Sequence, residues 1–267
     1  MRIQRHGDER GGAIVKHVIL TGMNGTVAPA LATQLARNDW EVVAWNRSEV
    51  AVDNVENGAR FLDKTQPEAI VHLAMGAPEW AGWLAAQSLA RGIRFLYVSS
   101  VSVFSGQQPG PIPPEREPDA TDDYGRYKAD CERRVQSVHP EATIARLGWQ
   151  IGSDPQKNTM VRYLLEQMRK EGVVSASRAW FPSASFLEDT AEGLAALLAD
   201  STACGPYHLE ANDGFSMFHL AARLNEQYGL GIRIEGTDEF VFDNRMTDER
   251  LRLRRLSERL NAQPDTG

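Results

Sequence analysis

The chain has 267 residues, 42% of them hydrophobic, which suits one large α/β domain or one with a smaller appended lobe. Lys and Arg number 29 against 36 Asp and Glu, a net charge of −7 with no basic tract, which argues against nucleic acid as a partner. Two cysteines, Cys131 and Cys204, without a CxxC are no disulfide framework, and no apolar run is long enough for a bilayer, so no membrane partner is expected and the cytoplasm is the expected compartment.

Residues 1–12 are charged and contain glycine. They lack the apolar stretch of a secretory signal and read as a mobile tail. An apolar run at 18–20 then reads as a buried strand, closed by Thr21 and Gly22. Met23 and Asn24 make a turn, Gly25 follows, and a helix starts near Thr26 with Val27, Leu31 and Leu35 on one face. Residues 41–45 (EVVAW) form a second strand, 55–64 a helix, and 69–74 (AIVHLA) a third strand. A helix at 79–91 and a strand at 94–99 (RFLYVS) follow. Apolar strands alternating with helices predict a parallel sheet covered on both faces. Residues 107–123 carry five prolines and read as an extended surface loop. A helix from Asp123 places Tyr127, Cys131, Val135 and Val138 on its apolar stripe, and 143–147 is a strand. Beyond Gly152 the pattern loosens. Helices are expected at 159–171, 188–199 and 216–228, short strands near 178–181, 207–209 and 232–235, and an arginine-rich helix at 246–260.

The turn after the first strand has the spacing Gly22-x-x-Gly25-x-x-Ala28. Gly22 permits a tight turn, Gly25 lets the backbone approach a pyrophosphate, and Ala28 lets the helix pack close to the strand. The free N–H groups of the helix start would then face phosphates. A glycine turn between strand and helix also serves plain α/β packing. Tyr124 and Lys128 lie four apart at a helix start, so they share a face. An ammonium beside a phenol favours the phenolate, which suits Tyr124 to general acid or base work. The strand ahead of that loop ends at Ser99-Ser100, where strand ends of a parallel sheet meet ligands. Ser100 is thereby placed to hold a substrate oxygen beside Tyr124.

These stretches together resemble an extended short-chain dehydrogenase/reductase, and within that superfamily the dTDP-4-dehydrorhamnose reductase group of sugar-nucleotide reductases. The match is carried by Thr21-Gly22-x-x-Gly25-x-x-Ala28, by residues 98–104 followed by Gly106, by Tyr124-Gly125-x-x-Lys128-x-x-x-Glu132, and by residues 145–152. Softer echoes run through 67–74, 185–191 and 248–251. The resemblance implies a Rossmann-type doubly wound parallel sheet at 13–151. Residues 152–267 would be mostly a C-terminal substrate lobe, with segments near 186–210 returning to the sheet. It implies that Tyr124 protonates a carbonyl oxygen, that Lys128 holds the nicotinamide ribose and lowers the tyrosine pKa, and that Ser100 orients the carbonyl. Gly22, Met23, Asn24, Gly25, Thr26 and Val27 would surround the pyrophosphate, and Leu73, Ala74 and Met75 would line the cofactor. Ser102, Trp149 and Gln150 are the expected substrate contacts.

An acidic residue at the end of the second strand would select NAD. Asn46-Arg47-Ser48 stands there instead, and a guanidinium with neutral neighbours suits the 2′-phosphate of NADP, with NAD as second choice. The chain departs from the family in two places. The segment after the third strand, residues 75–80, is short, and no asparagine occurs between Asn57 and Lys128 to relay protons. The aspartate the family carries near the adenine falls on Ala51. His72 reads as a hydrogen-bonded core residue. Trp80, Trp83, Trp149 and Trp180 divide between core and pocket, with Trp149 the first choice for the pocket. Arg162, Arg245 and Arg250 are candidates for substrate phosphates, although the arginines at 250–259 read better as one solvated helix face. No Cys/His cluster has metal-ligand spacing, so no metal is expected. The expected function is NADP-dependent reduction of a carbonyl on a nucleotide-linked 4-keto-deoxysugar. The alternatives are an NAD-dependent epimerase or dehydratase and a non-enzymatic NADP-binding regulatory protein. A homodimer is the expected assembly.

Overall fold

The computed structural model describes residues 16–106, 110–154 and 156–265, and the tail expected at 1–12 lies outside them. The chain opens with β1 (Lys16–Leu20), in which Val18, Ile19 and Leu20 are all fully buried, as a strand covered on both faces requires. Next come α1 (Val27–Arg37), β2 (Trp40–Ala44), α2 (Val55–Thr65), β3 (Ala69–His72) and α3 (Pro78–Arg91). After β4 (Arg94–Ser100) and a 3-10 turn at Val101–Val103 lie α4 (Asp123–Val138) and β5 (Thr143–Leu147). These five strands and β10 (Gly205–Leu209) make one sheet in the order β10-β5-β4-β3-β1-β2, with every pair parallel. The strand order reverses between β1 and β3, the switch point at which doubly wound sheets open a ligand crevice. The fold class is therefore the Rossmann-like one expected from the sequence.

The alternation of β-strand side chains divides the core. Ile19, Ile70, Tyr97 and Ile144 pack with Leu62, Leu84, Cys131 and Val135 on one face. Val18, Leu20, Val71 and Leu96 pack with Leu31 and Leu35 on the other, where α1 meets α6 (Leu187–Ala199). That second cluster runs on through Ile151, Phe186, Phe215 and Leu220, so the later half of the chain shares its core with the sheet.

The later half is built from short pieces. They are β6 (Trp149–Ile151), α5 (Met160–Glu171), β7 (Val174–Ser177), β8 (Trp180–Phe181), β9 (Ala184–Phe186), α7 (Met217–Tyr228), β11 (Ile234–Thr237), β12 (Phe242–Asp243) and α8 (Leu256–Arg259). Three parallel pairs, β6 with β9, β7 with β11 and β8 with β12, hold them together. Thr159 and Ser216, expected as first helical residues, are instead N-caps whose hydroxyls accept from Arg162 N and His219 N.

Three expectations are corrected. Residues 246–260 are not one helix, because Met246 N donates to Glu210 and the Asp248 carboxylate accepts from His208 N, which ties this segment to the end of β10. Only Leu256–Arg259 is helical, and the arginines do not form one solvated face: Arg250 pairs with Asp248, and Arg259 with Asp189 and Glu188. Val138, expected on the apolar stripe of α4, is 39% exposed. Residues 110–122 form the expected extended loop without helix or strand, and within it Ile112 is buried and bridges Met246 while the buried Arg146 donates to the carbonyls of Pro114 and Arg116.

Candidate active site

Thr21 fixes the glycine turn. Its hydroxyl oxygen accepts from Leu73 N and Ala74 N, which leaves its proton for His72 Nδ1 at 2.9 Å. His72 is a buried core residue as expected, and burial, followed by the Lys128 and Arg47 charges, lowers its pKa to about 3. Gly22 has φ +80°, and a Cβ there would lie 3.0 Å from Ala74 N. The turn therefore needs glycine both for conformation and for its approach to the end of β3. α1 starts at Thr26 with no side-chain cap and no acid in its first turn, so its leading N–H groups have no side-chain acceptor there.

A crevice of about 470 Å³ opens at the ends of β1, β3, β4 and β5. Gly22, Gly25, Thr26 and Val27 line it from the turn, and Leu73 from the end of β3. Ser100, Ser102, Tyr124 and Lys128 line it from β4 and α4, and Trp149 and Gln150 from β6. The structure thus brings all three expected catalytic residues and all three expected substrate contacts to one cavity. Asp122 caps α4 by accepting from Gly125 N and so sets the start of the helix that carries Tyr124 and Lys128. At Gly125 a Cβ would fall 2.0 Å from Ser102 O, so the first turn of α4 lies directly on the turn after β4.

Lys128 is 3% exposed and donates from Nζ to Val98 O at 2.9 Å. Burial lowers its pKa to about 8, against the opposing influence of Cys131 and Glu132. Tyr124 differs from expectation: burial raises its pKa, the Ser100 hydroxyl beside it works in the opposite direction, and the Asp122 charge adds to the rise. Lys128 is not among the groups that move it. Ser100 Oγ donates to Ser102 Oγ at 3.2 Å and accepts from Ser102 N.

Met23, Asn24, Asn46, Arg47, Ser48, Ala74 and Met75 do not line this cavity. Asn46 Oδ1 accepts from both Ser48 N and Ser48 Oγ at the end of β2. Arg47 lies over the Trp80 ring, donates to Met75 O, and has no carboxylate partner among the described residues. The candidate phosphate arginines are otherwise committed: Arg162 to Glu166, Arg245 to Asp243 and Arg250 to Asp248. The tryptophans divide, Trp80 into the core and Trp149 and Trp180 into the crevice, while Trp83 packs against the core edge. Lys157 Nζ donates to Gly25 O at 3.3 Å beside the turn, and Asn158, Ser183 and Asn244 line the cavity. Sequence reasoning missed these residues because they stand on loops outside any motif. It also missed Glu210, whose carboxylate accepts from the backbone N–H of Ala184, Ala211, Asn212 and Met246. Burial nevertheless raises its pKa to about 7.

The residues present fit a dinucleotide. The helix start at Thr26 lacks an acceptor from its own cap, the turn is pressed to the end of β3 where no side chain fits, and Arg47 is a cation without a carboxylate. Among the described residues no helix is long and apolar enough to cross a membrane, and no group of three or more His, Cys, Asp or Glu side chains could hold a metal.

A family model described as the RmlD substrate binding domain matches residues 16–77 and 79–246. The chain is 24% identical over 237 residues to the dTDP-4-dehydrorhamnose reductase of Aggregatibacter actinomycetemcomitans, covering 79% of this chain and 78% of that protein. It is 23% identical over 247 residues to methionine adenosyltransferase 2 subunit beta of Rattus norvegicus, covering 80% and 73%. The crystal structure of dTDP-4-dehydrorhamnose reductase from Bacillus anthracis in complex with NADP superposes with a TM-score of 0.79 at 20% identity, over 92% of this chain and 97% of that one.

Proposed function

We infer the reaction from one premise: the chain belongs to the RmlD substrate-binding-domain family. We propose that it is an NADP-dependent reductase of a carbonyl, on a nucleotide-linked keto-deoxysugar. The observation that supports this reading is the meeting of Ser100, Tyr124 and Lys128 with the Gly22–Gly25 turn in one crevice. A binding module has no use for a phenol there.

NADPH supplies the hydride when bound. The backbone of the turn and the start of α1 would hold its phosphates, and Arg47 would meet the 2′-phosphate. Ser100 turns its single hydroxyl proton from Ser102 Oγ to the substrate carbonyl and orients it. Tyr124 gives its proton to that oxygen. The phenol holds its proton at neutral pH and so can give it up as a general acid, and its raised pKa has to be brought down by the Ser100 hydroxyl and by charge in the occupied site. Lys128 holds its ammonium against Val98 O at the crevice floor, with two N–H donors left for the cofactor ribose. Leu73 and Val98 add apolar side chains to the lining beside it.

A second reading has one specific observation behind it, the likeness to a subunit of another enzyme. In that reading the chain binds NADP and partners an enzyme without turning over a substrate. One experiment separates the two. NADPH and NADH are titrated by nicotinamide fluorescence, and NADPH oxidation is then followed with dTDP-4-dehydrorhamnose for wild type and Tyr124→Phe. The reductase reading expects NADPH to bind more tightly than NADH, and turnover to fall by about 10²–10⁴-fold in the variant with NADPH binding retained. NADPH binding without turnover in wild type would favour the partner reading.

A further inference from the structure

Two neighbours hold the Arg47 guanidinium. Arg47 follows β2 and Met75 follows β3, and these strands flank β1 in the sheet, so the side chain that donates to Met75 O reaches across the end of β1. The same guanidinium lies over the Trp80 ring, 5.1 Å from its centroid. The carboxylates beside this group are engaged elsewhere. Glu49, two residues on from Arg47, accepts from Asn46 Nδ2 at 2.6 Å, and Glu79, next to Trp80, pairs with Arg134 at 2.8 Å.

Both anchors are themselves fixed. Trp80 is 3% exposed and meets the rings of His72 and Trp45 edge to face, at centroid distances of 4.6 and 5.7 Å. Met75 O and Gly76 N belong to one planar peptide, and Gly76 N donates to Tyr127 Oη at 3.1 Å. That peptide is therefore held by α4 through its N–H while its carbonyl accepts from Arg47. A Cβ at Gly76 would fall 2.9 Å from Trp80 Cε3 and 3.9 Å from an Arg47 amino nitrogen. Gly76 is not among the glycines with positive φ, so space rather than conformation calls for glycine here.

An arginine side chain on a surface samples many rotamers and must give them up on binding. An aromatic face and a fixed carbonyl order Arg47 in advance, and one N–H given to Met75 O leaves four for an anion. Trp80 is buried and does not line the crevice, so it acts through Arg47. We propose that Trp80 is a positioning residue for cofactor choice: its ring holds the Arg47 guanidinium across the end of β1, where the 2′-phosphate of NADP is read, and Gly76 leaves the space in which the two meet. The inference rests on the NADP reading and adds the group that aims Arg47.

The test titrates the full chain with NADPH and with NADH by nicotinamide fluorescence and reads the ratio of the two affinities. NADH lacks the 2′-phosphate and is the control for an intact crevice. Trp80→Leu should lower the NADPH:NADH affinity ratio about two- to fivefold, the size expected when a cation loses an aromatic face at an exposed site. Trp80→Phe keeps a ring and should restore most of the ratio, whereas a role in packing alone would affect both cofactors alike. On an Arg47→Ala background, Trp80→Leu should leave the ratio unmoved. If Trp80→Leu fails to bind NADH, Gly76→Ala decides, because its Cβ intrudes on the ring and the guanidinium without emptying the core. The ratio should then fall with Arg47 present and stay level without it. A ratio unmoved by these variants, or moved equally with and without Arg47, would overturn the proposal alone. Wild-type protein that binds both cofactors without preferring NADPH would overturn the NADP reading and the proposal with it.

Discussion

Lys128 should destabilise the fold that it serves. Its pKa falls from the ordinary 10.5 to about 8 because the ammonium is buried at the crevice floor. At about 1.36 kcal/mol per pH unit, that difference corresponds to roughly 3 kcal/mol against the charged form. Between pH 8 and 10.5 the unfolded chain still holds a proton that the folded chain has released, so wild-type stability gains with pH across that window. Below pH 8 both states are protonated and the full penalty stands. Lys128→Met removes the charge and keeps much of the volume, but strands Val98 O, at a cost of about 1–3 kcal/mol. The variant should therefore equal or exceed wild type by about 1–2 kcal/mol at pH 7, an advantage that shrinks towards pH 10. Urea unfolding at pH 7, 8.5 and 10 measures this, with NADPH titration as the functional readout, where the variant should bind far more weakly. A variant less stable at pH 7 by an amount that does not change with pH would refute the reasoning, because the charge would then carry no desolvation penalty.

Gly22→Ala places a Cβ 3.0 Å from Ala74 N on a backbone at φ +80°, so it should cost about 1–3 kcal/mol in urea unfolding and weaken NADPH as the turn shifts. Arg47→Ala should weaken NADPH relative to NADH by about tenfold, because Arg47 is the exposed guanidinium without a carboxylate at the end of β2, and the melting temperature should barely change. Glu132→Ala leaves Arg146, paired at 2.8 Å and almost fully buried, without its carboxylate. The expected cost is about 3–5 kcal/mol, with earlier proteolysis in the 110–119 segment that Arg146 holds.

The first half of the fold was legible because its signals are local. β1, the glycine turn and α1 lie within residues 16–37, and each strand there carries enough apolar residues to declare itself. Ser100, Tyr124 and Lys128 sit at strand and helix ends that the sheet topology then brings together. The later half resisted for a physical reason. Strands of two or three residues such as β6, β8 and β12 show no alternation, and they are held by pairing with strands far away in sequence. The 246–260 segment has helix-forming composition, yet long-range bonds from Glu210 and to His208 N override that propensity. Asn244 and Ser183 escaped notice because a polar side chain on a loop has no spacing to announce it, and for Asn244 only the three-dimensional hydrogen bonds to its oxygen reveal how the amide is turned.

The bridge between Ile112 and Met246 also sets an order of events during synthesis. Met246 leaves the ribosome 134 residues after Ile112 (246 minus 112), an interval of roughly 7–27 s at typical elongation rates. Until then Arg146 can hold the carbonyls of Pro114 and Arg116, but Ile112 lacks the Met246 half of its small cluster. β10, the outer strand beside β5, is likewise translated after the five strands it joins. The nascent protein therefore carries a nearly finished sheet with Ile112 unlatched and β10 missing from its edge, and slower translation lengthens its exposure to aggregation and to chaperones.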